Sequence, residues 1–236
     1  MGPMLTRDLD TAIRDTDGGK LYLFLVNPEE RLEANLTALK KAVNYEKPFI
    51  YIMARYPYPK LQGALDELGA LDGTNSFIDA KTKTISQDVD LQQKQVMYMK
   101  SPQNLVNVST SISVASQDME QALVVIDSLS TLNSYNTIDD VASFLENVRE
   151  RLQTLGSNAL IFQDFREGEW PPEEVLEYVD EVFSLYEGEL ESCALREKDG
   201  GYVLDVPSYI VESLGWDAGE ALSIRVVEDG IRVEEE

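Results

Sequence analysis

Ala122-Leu-Val-Val-Ile-Asp127, followed by Ser128-Leu-Ser-Thr131, is the stretch on which the fold turns. A short continuous apolar run between polar neighbours suits a strand buried on both faces of a parallel sheet. In open α/β sheets ligands bind at the carboxyl ends of the strands. A carboxylate at that end, Asp127, is therefore the first candidate site residue. A nucleotidase could use it to hold magnesium, directly or through water. The competing reading makes Asp127 a strand-end residue that caps the following turn.

Working outward, other runs repeat the pattern. Leu21–Val26, Phe49–Met53, Phe77–Asp79 and Ala159–Phe162 read as strands. Between them lie helical periods. Asn27-Pro-Glu-Glu30 predicts a helix start, with Asn27 as N-cap, Pro28 at N1 and Glu30 closing a capping box. Leu32, Leu36, Leu39 and Val43 then share one face. Leu61, Leu65 and Leu68 mark a helix closed near Gly69. Ser101-Pro102 reads as a helix start, with Leu105, Val108, Ile112 and Ala115 on one face, although Val108–Val114 also alternates as a strand would. Thr137 caps the best-patterned helix: Ile138, Val141, Leu145, Val148, Leu152 and Leu155 align, and Gly156 sits at its end. Strands alternating with helices imply βαβ units and right-handed crossovers. Leu5–Arg14 reads as a short polar helix at best, and Lys81–Lys100 as an excursion or edge structure. Val175, Val179, Val182 and Tyr186 predict an acidic connecting helix over 168–191.

Composition narrows the function. The 236 residues hold 20 Lys and Arg against 43 Asp and Glu, a formal charge of −23. Such a surface repels nucleic acid and anionic membrane. It suits a soluble protein, a basic partner or a salt-rich cytoplasm. Histidine is absent, which removes Ser-His-Asp and Cys-His mechanisms and the usual zinc sites. The single cysteine, Cys193, allows no internal disulfide. No apolar run reaches the roughly 18 residues of a membrane helix, and the N-terminus has no signal-peptide core. A cytoplasmic protein is expected.

Residues 1–167 resemble the RecA superfamily, nearest its archaeal KaiC-like branch. The resemblance rests on Pro48–Pro57 with Lys60-Leu61, on Leu68-Gly69 before Phe77–Asp79, on Ser101–Leu105, and on Leu123–Thr131 in the place of the Walker B strand. It implies a mainly parallel sheet flanked by helices. It also implies G-x-x-x-x-G-K-[ST] after the first strand, whose amides and lysine hold phosphates. Here that place reads Asn27-Pro-Glu-Glu-Arg-Leu-Glu-Ala-Asn35, with no glycine, no lysine and three glutamates. Where active members carry an acidic pair after the second strand, this chain has Ala54-Arg55. Arg31 could touch a phosphate, but Glu29, Glu30 and Glu33 suggest a solvated helix face.

Residues 192–236 resemble an AbrB-like swapped-hairpin domain through Gly201–Val211, Leu214–Gly219 and Leu222–Val233. Asp229-Gly230 reads as a tight hairpin turn. So small a hairpin cannot bury its own apolar face. The resemblance implies a homodimer with Val206, Leu214, Leu222, Ile224, Ile231 and Val233 in its core. Many members of that family bind DNA through basic residues near the domain start. Arg196 and Lys198 form the one candidate patch, and residues 191–236 hold four cations against twelve carboxylates. Nucleic acid is disfavoured but left open.

Tyr56-Pro-Tyr-Pro59 is either a partner-binding platform, with Tyr56 and Tyr58 as its surface, or a rigid turn. Trp170-Pro-Pro172 reads as hinge packing, and Trp216 as a dimer-seam residue. The leading expectation is a non-catalytic regulator or scaffold with a protein partner, no cofactor and no membrane association. The alternatives are a DNA-binding transcriptional regulator and a residual ATPase using Asp127.

Overall fold

The computed structural model describes residues 3–85, 95–117, 119–166, 171–184, 194–198, 201–205, 222–227 and 230–235. The chain divides into two compact units, Met1–Tyr186 and Glu187–Glu236.

In chain order the first unit contains α1 (Pro3–Arg14), β1 (Leu21–Val26), α2 (Arg31–Asn44), β2 (Phe49–Met53), α3 (Tyr58–Glu67), β3 (Ser76–Asp79) and α4 (Thr82–Ile85). It continues with β4 (Val96–Tyr98), α5 (Leu105–Ala115), β5 (Leu123–Asp127), α6 (Leu129–Asn133), α7 (Ile138–Leu155), β6 (Ala159–Asp164), α8 (Glu173–Leu176) and β7 (Glu181–Ser184). The seven strands form one sheet in the order β4-β3-β2-β5-β6-β1-β7, and every pairing is parallel. The expected α/β architecture is present.

Strand alternation explains why both faces are covered. Leu23, Leu25, Ile50, Ile52, Val124, Ile126 and Ile161 point to one core, with α5, α6 and α7. Phe24, Val26, Phe49, Tyr51, Val125, Leu160 and Phe162 point to the other, with α1, α2 and α3. Successive side chains leave a strand on opposite sides, so a continuous apolar run serves two helical layers. Helix α7 matches its pattern closely. Thr137 and Asp140 form the capping box, and Gly156 closes the helix at φ 62. Gly18 packs beside it: a Cβ there would meet the Gly156 backbone at 2.5 Å.

Several expectations change. The capping box at Asn27 and Glu30 does not form. Asn27 spends its side chain on the Glu29 amide and its carbonyl on the Glu30 amide, at 3.1 and 2.9 Å. The chain therefore turns over 27–30, and α2 begins at Arg31. Of the predicted stripe only Leu39 is fully buried; the buried face is Arg31, Ala34, Asn35, Ala38, Leu39 and Ala42. Small alanines let the helix lie close to the sheet, and Leu32, Leu36 and Val43 pack at its shoulders. Helix α1 is longer and less polar in its contacts than expected, burying Leu9, Ala12 and Ile13. Within Lys81–Lys100 the structure places α4 and the edge strand β4; residues 86–94 lie outside the described residues.

The single helix expected over 168–191 is also replaced. One helical turn, α8, is followed by β7 on the free edge of β1. An edge strand offers unpaired amides and carbonyls, and extended chain satisfies them where helix cannot. Asp180 fixes the switch: its carboxylate accepts from the Leu21 amide at 2.8 Å and meets Arg149 at 2.6 Å. Phe183 then stacks on Phe24 at 5.0 Å.

The second unit holds two antiparallel pairs, β8 (Ala194–Lys198) with β9 (Gly201–Asp205) and β10 (Leu222–Val227) with β11 (Gly230–Glu235). Ile224 pairs with Val233, Val226 with Ile231, and Val227 with Gly230. Val206, Leu214, Trp170, Cys193, Trp216, Asp229 and the segment 206–221 lie outside the described residues. Among the described residues no helix is long and apolar enough to cross a membrane.

Leu145→Ala should lower stability by about 2–5 kcal/mol, because a fully buried α7 side chain leaves a cavity. Thr137→Ala should cost about 1 kcal/mol through the lost cap. Urea denaturation followed by circular dichroism reads both, and equal losses would contradict this packing.

Candidate functional site

The carboxyl edge of β5 and β6 carries the site. Asp127 ends β5, Asp164 ends β6, and the intervening register pairs Asp127 with Phe162. Helix α2 leaves β1 and lies over β6 and β5. Its first residue, Arg31, therefore points at the ends of both strands.

Arg31 has no exposed surface, and neither has Asp127. Arg31 Nε lies 3.3 Å from Asp127 Oδ1, within ion-pair range but not aligned for a hydrogen bond. Arg31 Nη1 donates to Asp164 Oδ1. Arg55 Nη1 reaches the other oxygen of Asp164 at 3.4 Å. Asn35, one turn along α2, donates to the Arg31 carbonyl at 2.9 Å and to Asp127 Oδ1 at 3.4 Å. The Tyr51 hydroxyl donates to Asp127 Oδ2 at 3.2 Å. Both oxygens of Asp127 thus face protein donors. Arg31 Nη2, Asn35 Oδ1 and Gln163 Oε1 are buried without a hydrogen-bond partner.

Burial governs the protonation of the pair. It pushes Asp127 up to about 6, against the downward pull of Arg31 and of the Tyr51 hydroxyl. Burial likewise lowers Arg31, and the Asp127 charge opposes that. Tyr51 is driven well above its ordinary value by burial and then by the neighbouring carboxylate. The guanidinium stays charged under all ordinary conditions, so the proton that moves belongs to Asp127.

The Asp127–Ser128 peptide is cis. Ser128 caps α6, its hydroxyl 3.0 Å from that of Thr131. Ser130 Oγ accepts from the Asp164 amide at 2.7 Å. The serine-rich exit of β5 therefore ties the ends of β5 and β6 together.

The connection from β1 to α2 does not fit a triphosphate. Pro28 has no amide hydrogen, the Glu29 and Glu30 amides are already bonded to Asn27, and Glu29, Glu30 and Glu33 place three carboxylates there. An anion cradle needs free amides and positive charge. Among the described residues no group of three or more acidic or thiol side chains gathers as a metal site.

A KaiC-like protein from the hyperthermophilic archaeon Pyrococcus horikoshii has a similar solved structure. It aligns with a TM-score of 0.51 at 12% identity, covering 92% of this chain and 89% of that one. The likeness is one of fold alone, a parallel α/β sheet flanked by helices. No protein-family model matches the sequence, and no curated protein matches it either.

Of the expected site residues, the structure brings Asp127 together with Arg31, which the sequence placed on a solvated face. Asn35, Tyr51 and Asp164 were missed. A helical reading of 31, 35, 38 and 42 would have found the first of these, had the alanines been taken as the close-packed face. Arg55 stands beside Asp164. Tyr58 is corrected: it is 3% exposed and packs on Phe77 at 5.5 Å, so it offers no ring to a partner. Tyr56 is half-buried, with Lys60 Nζ 4.8 Å and Arg55 Cζ 5.8 Å from its ring centre. Arg196 and Lys198 lie on β8.

Arg31→Met should cost about 3–5 kcal/mol at neutral pH, since it strands a buried carboxylate. The sign follows from the raised pKa of Asp127. Its contribution to stability is full below the unfolded value near 3.8 and is lost as pH rises to about 6. Removing Arg31 moves the upper limit higher, so the variant's deficit should be smaller at pH ~5 than at pH ~8. Adding Asp127→Asn should restore most of the loss. Urea midpoints at both pH values test this; a deficit that does not change with pH would refute it.

Proposed function

We propose that the protein is a non-catalytic regulator or scaffold, a RecA/KaiC-like pseudo-ATPase whose second unit is an AbrB-like dimerisation domain. The observation that carries this is the buried Arg31, already spent on Asp127 and Asp164 at the edge where a nucleotide and its metal would sit. A KaiC-like neighbour among solved structures supports the family reading but not an activity. The degenerate domain would offer a protein-binding surface, and residues 192–236 would join two chains.

The dimer reading rests on size. Two separate two-stranded hairpins present apolar positions such as Leu222, Ile224, Ile231 and Val233, and pairs of strands alone are marginal in water. Interleaving two copies is the solution implied by the resemblance, with Val206 and Leu214 as further core.

DNA binding is the weaker reading. Arg196 and Lys198 are interrupted by Glu197, in a stretch of four cations and twelve carboxylates. Residual nucleotide binding through Asp127 is weaker again, since it requires Arg31 to leave both partners.

Calorimetric titration with ATP and magnesium should give no binding heat. Micromolar affinity with measurable turnover, abolished by Asp127→Asn, would overturn the proposal. Sedimentation should give twice the 26.5 kDa chain mass, and a monomer at every concentration would remove the dimerisation role.

A further inference from the structure

The carboxyl edge has a second half, at the described ends of β2, β3 and β4, of which the site above uses only Arg55. Among the described residues there, lysines outnumber carboxylates. Lys60 follows β2, Lys81 and Lys83 follow β3, and Lys100 follows β4. Among the described residues none of the four pairs with a carboxylate, although the chain has more than two acids for each cation. Lys20, Lys41 and Arg149 are ion-paired, while Lys47 and Arg151 meet only carbonyls or hydroxyls.

Three of these lysines, Lys60, Lys81 and Lys83, meet rings and a carbonyl instead. Lys60 sits over Tyr56, and Lys81 lies 5.6 Å from the centre of Tyr135 and 3.1 Å from its hydroxyl. Lys83 donates to the Tyr98 carbonyl at 3.0 Å. Such contacts hold a cation in place without neutralising it. The loops themselves are braced by Asp79, which is fully buried. Its oxygens accept from the amides of Tyr58, Lys81 and Thr82 at 2.7, 2.8 and 2.7 Å, and from the Thr82 hydroxyl. One carboxylate thereby fixes both the start of α3, which bears Lys60, and the segment of Lys81 and α4 that bears Lys83.

We propose that this rim of lysines and tyrosines docks a short, extended, carboxylate-rich peptide segment of a partner protein. The inference deepens the scaffold reading, on which it rests, by naming the chemistry of the partner. Neighbouring strands are about 4.8 Å apart, so loops after three adjacent strands span about 10 Å. That is the reach of about three extended residues at ~3.3 Å each. A short acidic segment fits inside this patch. A nucleic-acid strand would run on past it, onto a surface whose total charge is −23.

Fluorescence anisotropy with a labelled oligoglutamate peptide tests the proposal on the full chain. Binding should appear at low salt and weaken as salt rises. Lys60→Glu with Lys83→Glu should reduce it about tenfold or more, as expected for two reversed contacts at an exposed site. Lys40→Glu makes the same kind of charge change on an exposed position of α2 and should leave binding within about twofold. Lys60→Gln with Lys100→Gln, both exposed, should give a smaller loss and covers the case where the reversal disturbs folding. No peptide binding, equal loss in the Lys40 control, or tighter binding of an oligothymidylate of equal charge would each overturn the proposal. The ATP titration tests the scaffold reading separately, so failure of the peptide leaves that result standing.

Discussion

A guanidinium with no exposed surface holds the ends of two neighbouring strands, and the charge balance of that edge follows from it. Asp127 and Asp164 end β5 and β6, whose backbones are one strand spacing apart. Two carboxylates so placed would repel each other in a medium that screens poorly. Arg31 resolves this from the first turn of α2, which must then start at residue 31 and lie close to the sheet. The alanines at 34, 38 and 42 permit that approach. The tight turn over Asn27–Glu30 is the shortest path from β1 to a helix so positioned. The start of α2 and the local charge at this edge are thus tied to one side chain.

The same edge shows another way to bury an acid. Asp79 is as deeply buried as Asp127, yet its oxygens are occupied by three amides and a hydroxyl. Neutral donors of the adjacent loops satisfy it, so it serves as a local brace and needs no distant partner. Asp127 receives one hydroxyl, one long amide contact and a cation from another element. Its energy is therefore coupled to where α2 sits. Removing a partner from Asp79 loosens a loop; removing one from Asp127 leaves a charge stranded between layers.

Much of the fold was legible because the signals were local and repeated. The runs at 21–26, 49–53 and 123–127 are apolar throughout, and both faces of each are covered. Thr137, Asp140 and Gly156 mark α7 through hydrogen bonds made within a few residues. What escaped was decided by partners distant in sequence. Residues 181–184 have a helical apolar period, but β1 presents an open edge and Asp180 reaches back to Leu21 across 159 positions. Leu32 and Leu36 look like the core face of α2, but the larger side chains were displaced to its shoulders by the need to bring Arg31 to the sheet. Arg31 itself, flanked by glutamates, carries no local sign that it is buried. Its partners lie 96 and 133 residues away, and no helical period connects them.

The energetic consequence for ligands is direct. A triphosphate and metal seated at this edge would have to displace Arg31 from Asp127, leaving at least one of the two buried and unpaired. Breaking a buried pair costs about 3–5 kcal/mol. At 1.4 kcal/mol for each factor of ten, such a ligand binds about two to four orders of magnitude more weakly than it would to an open edge. Of the amides near this turn, those of Glu29 and Glu30 are already engaged and Pro28 has none. The side chains at this edge are thus held chiefly by one another.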